Sequence, residues 1–272
     1  MFTQVNGCNV HYEVSGKGKP LILVHGTGAD AQSFEDMIPL LNKDFQVYAY
    51  DMRGFGKTVR PTDVPLSDTL WADDLAGLMR KLGVERAALT GWSLGGFVVM
   101  NFALRYPQMV SQLVLLGSAS PLPSSTPMDR SGFETRRKLA EAGASIEEIV
   151  EKTFEFSKGA YSPYVVKNKP AAVEKLRQTL LRNDPKSYAD VIKATRSDFG
   201  PKLGEIEHPT LIVVGDDDAR TPVAMSEGLN KAIPNSYLKI VKNCGHFYGF
   251  EQPEETCRVM LNFLRLFEGG AA

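Results

Sequence analysis

Gly91-Trp92-Ser93-Leu94-Gly95 is the stretch of this sequence best suited to chemistry. A serine hydroxyl is a weak nucleophile until it is exposed and a neighbouring base takes its proton. An apolar β-type run ends at Gly91 and an apolar helical run begins at Leu94, so Ser93 is expected on a sharp strand-to-helix turn that lifts its Oγ above a sheet. Glycines two residues to either side keep Cβ atoms out of that turn, and Gly96 extends the small-residue run. The Leu94 N–H, at the start of the helix, is placed to face a developing oxyanion.

The nucleophile needs a base, and the sequence offers four histidines: His11, His25, His208 and His246. His11 falls in an edge hairpin and His208 at the start of a late strand, so both read as structural or surface residues. His25 reads as a packing residue. His246 follows the last strand, at the carboxyl edge of the sheet where ligands bind in α/β folds, and is the expected general base. An acid must then fix its tautomer. Gly215-Asp216-Asp217-Asp218 ends the preceding strand and supplies three candidates, of which at most one is needed. A second oxyanion donor is expected from the loop His25-Gly26-Thr27-Gly28, with the Thr27 N–H as partner to that of Leu94. The glycines Gly26 and Gly28 would let the backbone approach a ligand there.

The elements that must position these residues are legible as alternation. Strand candidates are Phe2–Asn6, Asn9–Ser15, Leu21–His25, Gln46–Asp51, Arg86–Gly91, Leu113–Gly117, Thr210–Gly215 and Ser236–Val241. Runs such as Leu21-Ile22-Leu23-Val24 are apolar on successive residues, which suits parallel strands covered on both faces. The first two runs alternate and meet near Gly7, as an antiparallel edge hairpin would. Helical patterns lie between the others: one capped by Ser67 and stopped by Gly83, then Leu94–Tyr106, Pro222–Ile233 and Pro253–Phe267. Such alternation predicts an α/β fold with right-handed crossovers.

One stretch breaks the rhythm. Residues 121–203 show no strand pattern and read as helices at Phe133–Glu141, Ser145–Ser157, Ala171–Asn183 and Pro185–Thr195, inserted between two strands. Residues 1–120 with 204–272 then form the core domain and 121–203 a helical cap over the site. The insertion holds 15 Lys+Arg against 11 Asp+Glu, a net of +4 on a chain whose total is −1. That excess could favour an anionic substrate, although outward-facing, solvated lysines explain it more simply. Trp92 and Phe247, with Phe133, Phe154, Phe156, Tyr161 and Tyr164 of the insertion, are candidates to line the pocket.

Composition excludes several classes. The 272 residues, 43% hydrophobic and 23% charged, describe a folded chain able to bury a large core. The near-zero net charge is a poor footprint for nucleic-acid binding. Three cysteines, Cys8, Cys244 and Cys257, make no disulfide framework, and a reducing, cytoplasmic setting is expected. No basic start precedes an apolar stretch, so no signal peptide is expected, and no run approaches the ~20 apolar residues that span a bilayer. Gly56-Lys57-Thr58 resembles the end of a phosphate loop, but Asp51 stands where glycine is required and Pro61 spoils the following helix. No cluster has metal-ligand spacing, so neither metal nor cofactor is expected. The sequence sets no oligomeric state.

Taken together, His25-Gly26-Thr27-Gly28, Asp51-Met52-Arg53-Gly54-Phe55-Gly56, Gly91 to Gly96, Gly215-x-x-Asp218-x-x-x-Pro222 and Gly245-His246 with Glu251-Gln252-Pro253 make the whole chain resemble the α/β-hydrolase superfamily, of the type with a helical cap. The resemblance implies a mostly parallel eight-stranded sheet with helices on both faces, and an inserted cap. It selects Asp218 among the three aspartates and so implies a Ser93, Asp218, His246 triad with Thr27 and Leu94 as the oxyanion hole. Asp51 and Arg53 match a loop that is structural in the family. A serine at the elbow disfavours dehalogenase and epoxide-hydrolase chemistry, which uses aspartate there. Asn183-Asp184-Pro185-x-x-Tyr188 and the tail from Pro209 resemble the 3-oxoadipate enol-lactonase group, and the elbow resembles carboxylesterases acting on methyl esters. A small-molecule carboxylic ester or lactone is therefore the expected substrate. The alternatives are a carbon–carbon bond hydrolase acting on a dienoate or β-diketone-like compound and, more remotely, a non-catalytic binding member of the fold.

Overall fold

The computed structural model describes residues 1–58, 64–118, 131–156, 160–194 and 196–267. Eight strands, β1 (Phe2–Val5), β2 (Cys8–Ser15), β3 (Lys19–Val24), β4 (Phe45–Tyr50), β5 (Ala87–Trp92), β6 (Val110–Leu116), β7 (Thr210–Gly215) and β8 (Ser236–Val241), form one sheet in the order β1-β2-β4-β3-β5-β6-β7-β8. β1 and β2 make the expected hairpin, turning on Asn6 and Gly7 at positive φ, and β2 runs antiparallel to β4. All later pairings are parallel. Every residue of β5 and β7 is buried, as runs covered on both faces must be, whereas the edge strand β8 is exposed at Tyr237, Lys239 and Ile240.

The helices are α1 (Ile38–Leu41), α2 (Asp68–Lys81), α3 (Leu94–Arg105), α4 (Ser131–Glu141), α5 (Ile146–Phe156), α6 (Pro163–Asn168), α7 (Pro170–Leu181), α8 (Pro185–Lys193), α9 (Val223–Ala232), α10 (Tyr248–Glu251) and α11 (Pro253–Leu266). One core joins α2 and α3 to the sheet through Ile22, Trp71, Leu75, Val99, Phe102 and Ile212. The other joins α1 and α11 to the opposite face through Leu23, Phe45, Leu116, Met260 and Phe263. Ser67 caps α2 as its spacing predicts, its Oγ accepting from Leu70 N at 3.0 Å, and Gly83 follows at φ +68°. The loop after β4 is structural: Asp51 accepts from the Ala31 and Lys57 N–H groups, both at 2.8 Å, and Arg53 pairs with Asp74 inside the protein.

The five helices α4–α8 lie between β6 and β7. The sequence pattern misses α6, which is too short for a periodicity, although Ser162 caps it and Pro163 opens it. The turn-rich stretch Pro121–Pro127 with which the insertion opens lies outside the described residues. The insertion seats on the loop after β3: Arg182 pairs with Asp30, and Asn183 Nδ2 donates to Gly28 O at 2.7 Å. Among the described residues no helix is long and apolar enough to cross a membrane.

Candidate active site

The turn between β5 and α3 holds Ser93 at φ 53°, ψ −113°, a strained backbone for a residue with a Cβ. The surroundings enforce it. Ser93 N donates to Leu116 O at 2.9 Å, and a Cβ on Gly95 would lie 2.1 Å from Val24 O, so the helix start can press this closely on the sheet only with glycine there. The sharp turn throws the Ser93 side chain out over the carboxyl edge of the strands.

His246, buried in the loop after β8, reaches it there. Its Nε2 is 3.0 Å from Ser93 Oγ and its Nδ1 is 2.9 Å from Asp218 Oδ2. A carboxylate only accepts, so Nδ1 carries the proton and Nε2 is left with a lone pair for the serine hydroxyl. Asp218 is held in turn by a cradle of donors. Arg220 N and Thr221 N donate to Oδ1 at 2.9 and 2.8 Å, and Thr221 Oγ1 and Tyr248 OH to Oδ2 at 2.7 and 3.1 Å. Burial alone would raise this carboxyl, but the charge of His246, the hydrogen bond to it and the Thr221 donors outweigh that and hold it below the ordinary aspartate range. Its neighbours are spent elsewhere, Asp217 on Ser162 Oγ at 2.6 Å and Asp216 toward Lys242 at 3.4 Å.

The loop after β3 closes on the serine from the other side. A Cβ on Gly26 would lie 3.3 Å from Ser93 Cβ, and next to it Thr27 is half-buried. Neither the Thr27 nor the Leu94 N–H donates to another described residue.

The other expected site residues separate. Phe247 meets the edge of the His246 ring, 5.6 Å between centroids, and packs on Tyr161 at 4.5 Å. Trp92 is a brace: its Nε1 donates to His246 O at 2.8 Å and its ring packs on Phe247 and Phe250. Phe154 stacks on the far side of Tyr161, under Arg177, and reaches His246 only through two other rings. Gly28, at φ +75°, serves the insertion, because a Cβ there would lie 2.9 Å from both Leu180 and Tyr188. Tyr164, on α6, is 45% exposed. The Phe133 and Phe156 side chains lie outside the described residues.

The remaining histidines have structural partners. His25 is fully buried, its Nδ1 on Gly26 O and its Nε2 accepting from Met52 N, and burial lowers its pKa. His11 is buried too, against Asp51 and the Phe2 ring, so the surface alternative does not hold for it. His208 bonds Pro107 O, away from Ser93.

Sequence reasoning missed two guanidiniums. Arg220, two residues past Asp218, lies over the Phe247 ring with Cζ 5.4 Å from its centroid. Buried Arg136, on α4, donates to Tyr188 OH at 2.7 Å, and Tyr188 packs on Gly28. The two are near enough to repel: burial first, then the charge of Arg136, pushes Arg220 down to about 10. An arginine in a turn and one on a helix read from sequence as solvated, so no pattern marked them. Among the described residues no group of histidine, cysteine or acidic side chains could hold a metal ion.

Residues 19–253 match the family model described as alpha/beta hydrolase fold. The chain is 31% identical over 271 residues, covering 94% of itself and 91% of its relative, to a 2-hydroxy-6-oxononadienedioate/2-hydroxy-6-oxononatrienedioate hydrolase of Burkholderia vietnamiensis strain G4. Among solved structures it is similar to a thermophilic esterase from Thermogutta terrifontis, at 30% identity and TM-score 0.84, covering 98% of this chain and 97% of that one. It is also similar to a meta-cleavage product hydrolase from Pseudomonas fluorescens IP01, at 26% identity and TM-score 0.75, again covering 98% and 97%.

Proposed function

This chain belongs to the α/β-hydrolase fold family, and from that membership we propose that it is a carbon–carbon bond hydrolase acting on a 2-hydroxy-6-oxo-dienoate. The ester or lactone expected from sequence is thereby corrected. The finding against it is that the curated relatives, similar over nearly the whole chain, are named for dienoate and dienedioate substrates. Such a compound has a C6 carbonyl and at least one carboxylate but no ester, so a hydrolase must break a bond from that carbonyl carbon. That kinship is the observation that carries the reading.

The geometry suits the chemistry. The substrate ketonises, a proton moving from the 2-hydroxyl to C5, so that C5 is flanked by the C6 ketone and a conjugated electron sink. His246, oriented by Asp218, takes the Ser93 proton as Oγ attacks C6, and the Thr27 and Leu94 N–H groups hold the oxyanion. Collapse breaks the C5–C6 bond. Its electron pair delocalises into the dienolate, which takes the proton from His246 and leaves as a 2-hydroxydienoate. Water, activated by His246, then releases the C6 fragment from Ser93 as a carboxylic acid. The guanidiniums of Arg220 and Arg136 suit the substrate carboxylate. The helices of residues 121–203 act as the cap that encloses it. Product analysis tests this: the wild type yields the dienoate and the acid in equal amounts and Ser93→Ala yields neither, whereas intact substrate after incubation with folded wild type overturns it.

A further inference from the structure

Glu251 is fully buried at the end of α10, and its carboxylate has no ion-pair partner among the described residues. Its carboxylate is instead ringed by backbone donors. Oε2 accepts from Gly245 N at 2.9 Å and from Ser162 N at 2.8 Å, and Oε1 accepts from Phe247 N at 2.9 Å. Gly245 and Phe247 are the residues on either side of His246. Ser162 belongs to the insertion, just before α6. The His246 N–H itself donates to Ala160 O of the insertion, at 2.7 Å, and the His246 carbonyl accepts from Trp92. The backbone carrying the base is thus fixed at three successive N–H groups, two of them by one side chain and the third by the insertion.

Burying an ionised carboxylate is costly, and hydrogen bonds to the anion are what offset the cost. Burial outweighs the three N–H donors and the nearby charge of His246 and leaves Glu251 above the ordinary glutamate range, while the geometry, in which both oxygens meet only donors, is that of the anion. A structural staple alone could use an amide or a hydroxyl. A carboxylate beside the base also favours the imidazolium that forms when Ser93 gives up its proton.

We propose that Glu251 is a positioning residue that holds His246 in line with Ser93 and makes that alignment depend on the insertion being seated, because one oxygen binds both the His246 loop and the insertion. This rests on the proposed use of His246 as the base, but not on the identity of the substrate. The other groups facing this cluster are Asp218 on His246, Arg220 over Phe247, Asp217 on Ser162, Lys169 on the Glu251 backbone carbonyl and Gln252 Oε1, and Asp216 on Cys244 N. Cys244, Tyr161 and Tyr248 also pack here, each held neutral by burial. A substitution at Glu251 removes none of these groups.

The test is the rate at which a fluorophosphonate acylates Ser93, followed against pH, together with amide hydrogen exchange. This probe reports the serine whether or not a dienoate is the substrate. Glu251→Gln should slow acylation about ten- to a hundredfold, the loss expected when a reacting group drifts by about an ångström. Its acid limb should move to lower pH, because the anion that favoured the imidazolium is gone. Exchange should quicken together in the segments 160–163 and 244–248. Glu251→Asp, which keeps the charge, should retain the wild-type limb. Far-UV circular dichroism at each pH gives the fraction folded, and a limb corrected for it and normalised to its own plateau lets a destabilised variant still answer. An unmoved acid limb in Glu251→Gln, or faster exchange in only one of the two segments, overturns the proposal. A wild type that labels normally but leaves dienoates intact would count against the proposed substrate alone.

Discussion

His246 Nε2 lies 3.0 Å from Ser93 Oγ, although the two residues are 153 positions apart in the chain. β5 delivers one and the loop after β8 the other, at the same edge of the sheet. A base at hydrogen-bond distance with its lone pair free is what makes a serine nucleophilic. Ser93→Ala should therefore lower turnover of a dienoate by about three to six orders of magnitude while leaving the unfolding midpoint near wild type. Stopped-flow loss of the conjugated absorbance measures this, and turnover within tenfold of wild type would remove Ser93 from the mechanism.

Asp218→Asn keeps the shape of the acid but can present an amide N–H to His246, which turns the imidazole to the wrong tautomer. A fall in kcat of up to about ten-thousandfold is expected, by analogy with other triads. KM should change little, since the residue lies behind the base. Steady-state kinetics on the variant decide it.

The same carboxylate makes stability depend on pH in a defined direction. Its folded pKa lies below the ordinary value, so its ionised form stabilises the fold above that value. The contribution is lost as pH falls from the unfolded aspartate range, about 4, through the lower folded value. Urea midpoints of the wild type and of Asp218→Asn should therefore converge as pH drops below about 4. A gap that widens instead would mean that the sign is wrong.

Arg53 and Asp74 form a buried two-bonded pair, Nε to Oδ2 at 2.7 Å and Nη2 to Oδ1 at 2.8 Å. Removing one partner leaves the other charge buried, so Arg53→Met should cost about 3–5 kcal/mol. Equilibrium urea unfolding reads this directly. A loss under about 1 kcal/mol would show that Asp74 finds solvent on its own.

Arg220→Met should raise KM for an anionic dienoate about tenfold or more and leave hydrolysis of a neutral aryl ester unchanged. The guanidinium is assigned to the carboxylate, and a charge-assisted pair contributes about 1.5–3 kcal/mol. Equal effects on both substrates would mean that Arg220 acts through Phe247 packing.

How much of this was legible in the sequence follows from the range of the interactions involved. The elbow is written locally, because Gly95 must approach Val24 O and only glycine permits it. All eight strands stand out as short apolar or alternating runs. The pocket walls are not local. Tyr164 and Tyr161 are three residues apart on the same insertion, yet one faces solvent and the other packs on Phe247. Gly28 reads as a ligand contact from sequence and serves Tyr188 and Leu180 instead. Arg136 and Arg220 come together only through the tertiary fold. The choice between an ester and a carbon–carbon bond is written in no single residue, since one triad serves both, and kinship over the whole chain was needed to correct it.

The most direct test of the central claim is the ratio of kcat/KM for a 2-hydroxy-6-oxo-dienoate to that for an unsubstituted aryl ester, measured on one wild-type preparation. A ratio of about a hundred or more is expected, with the acid and the 2-hydroxydienoate as the only products. A ratio well below one, with the dienoate recovered intact, would contradict it.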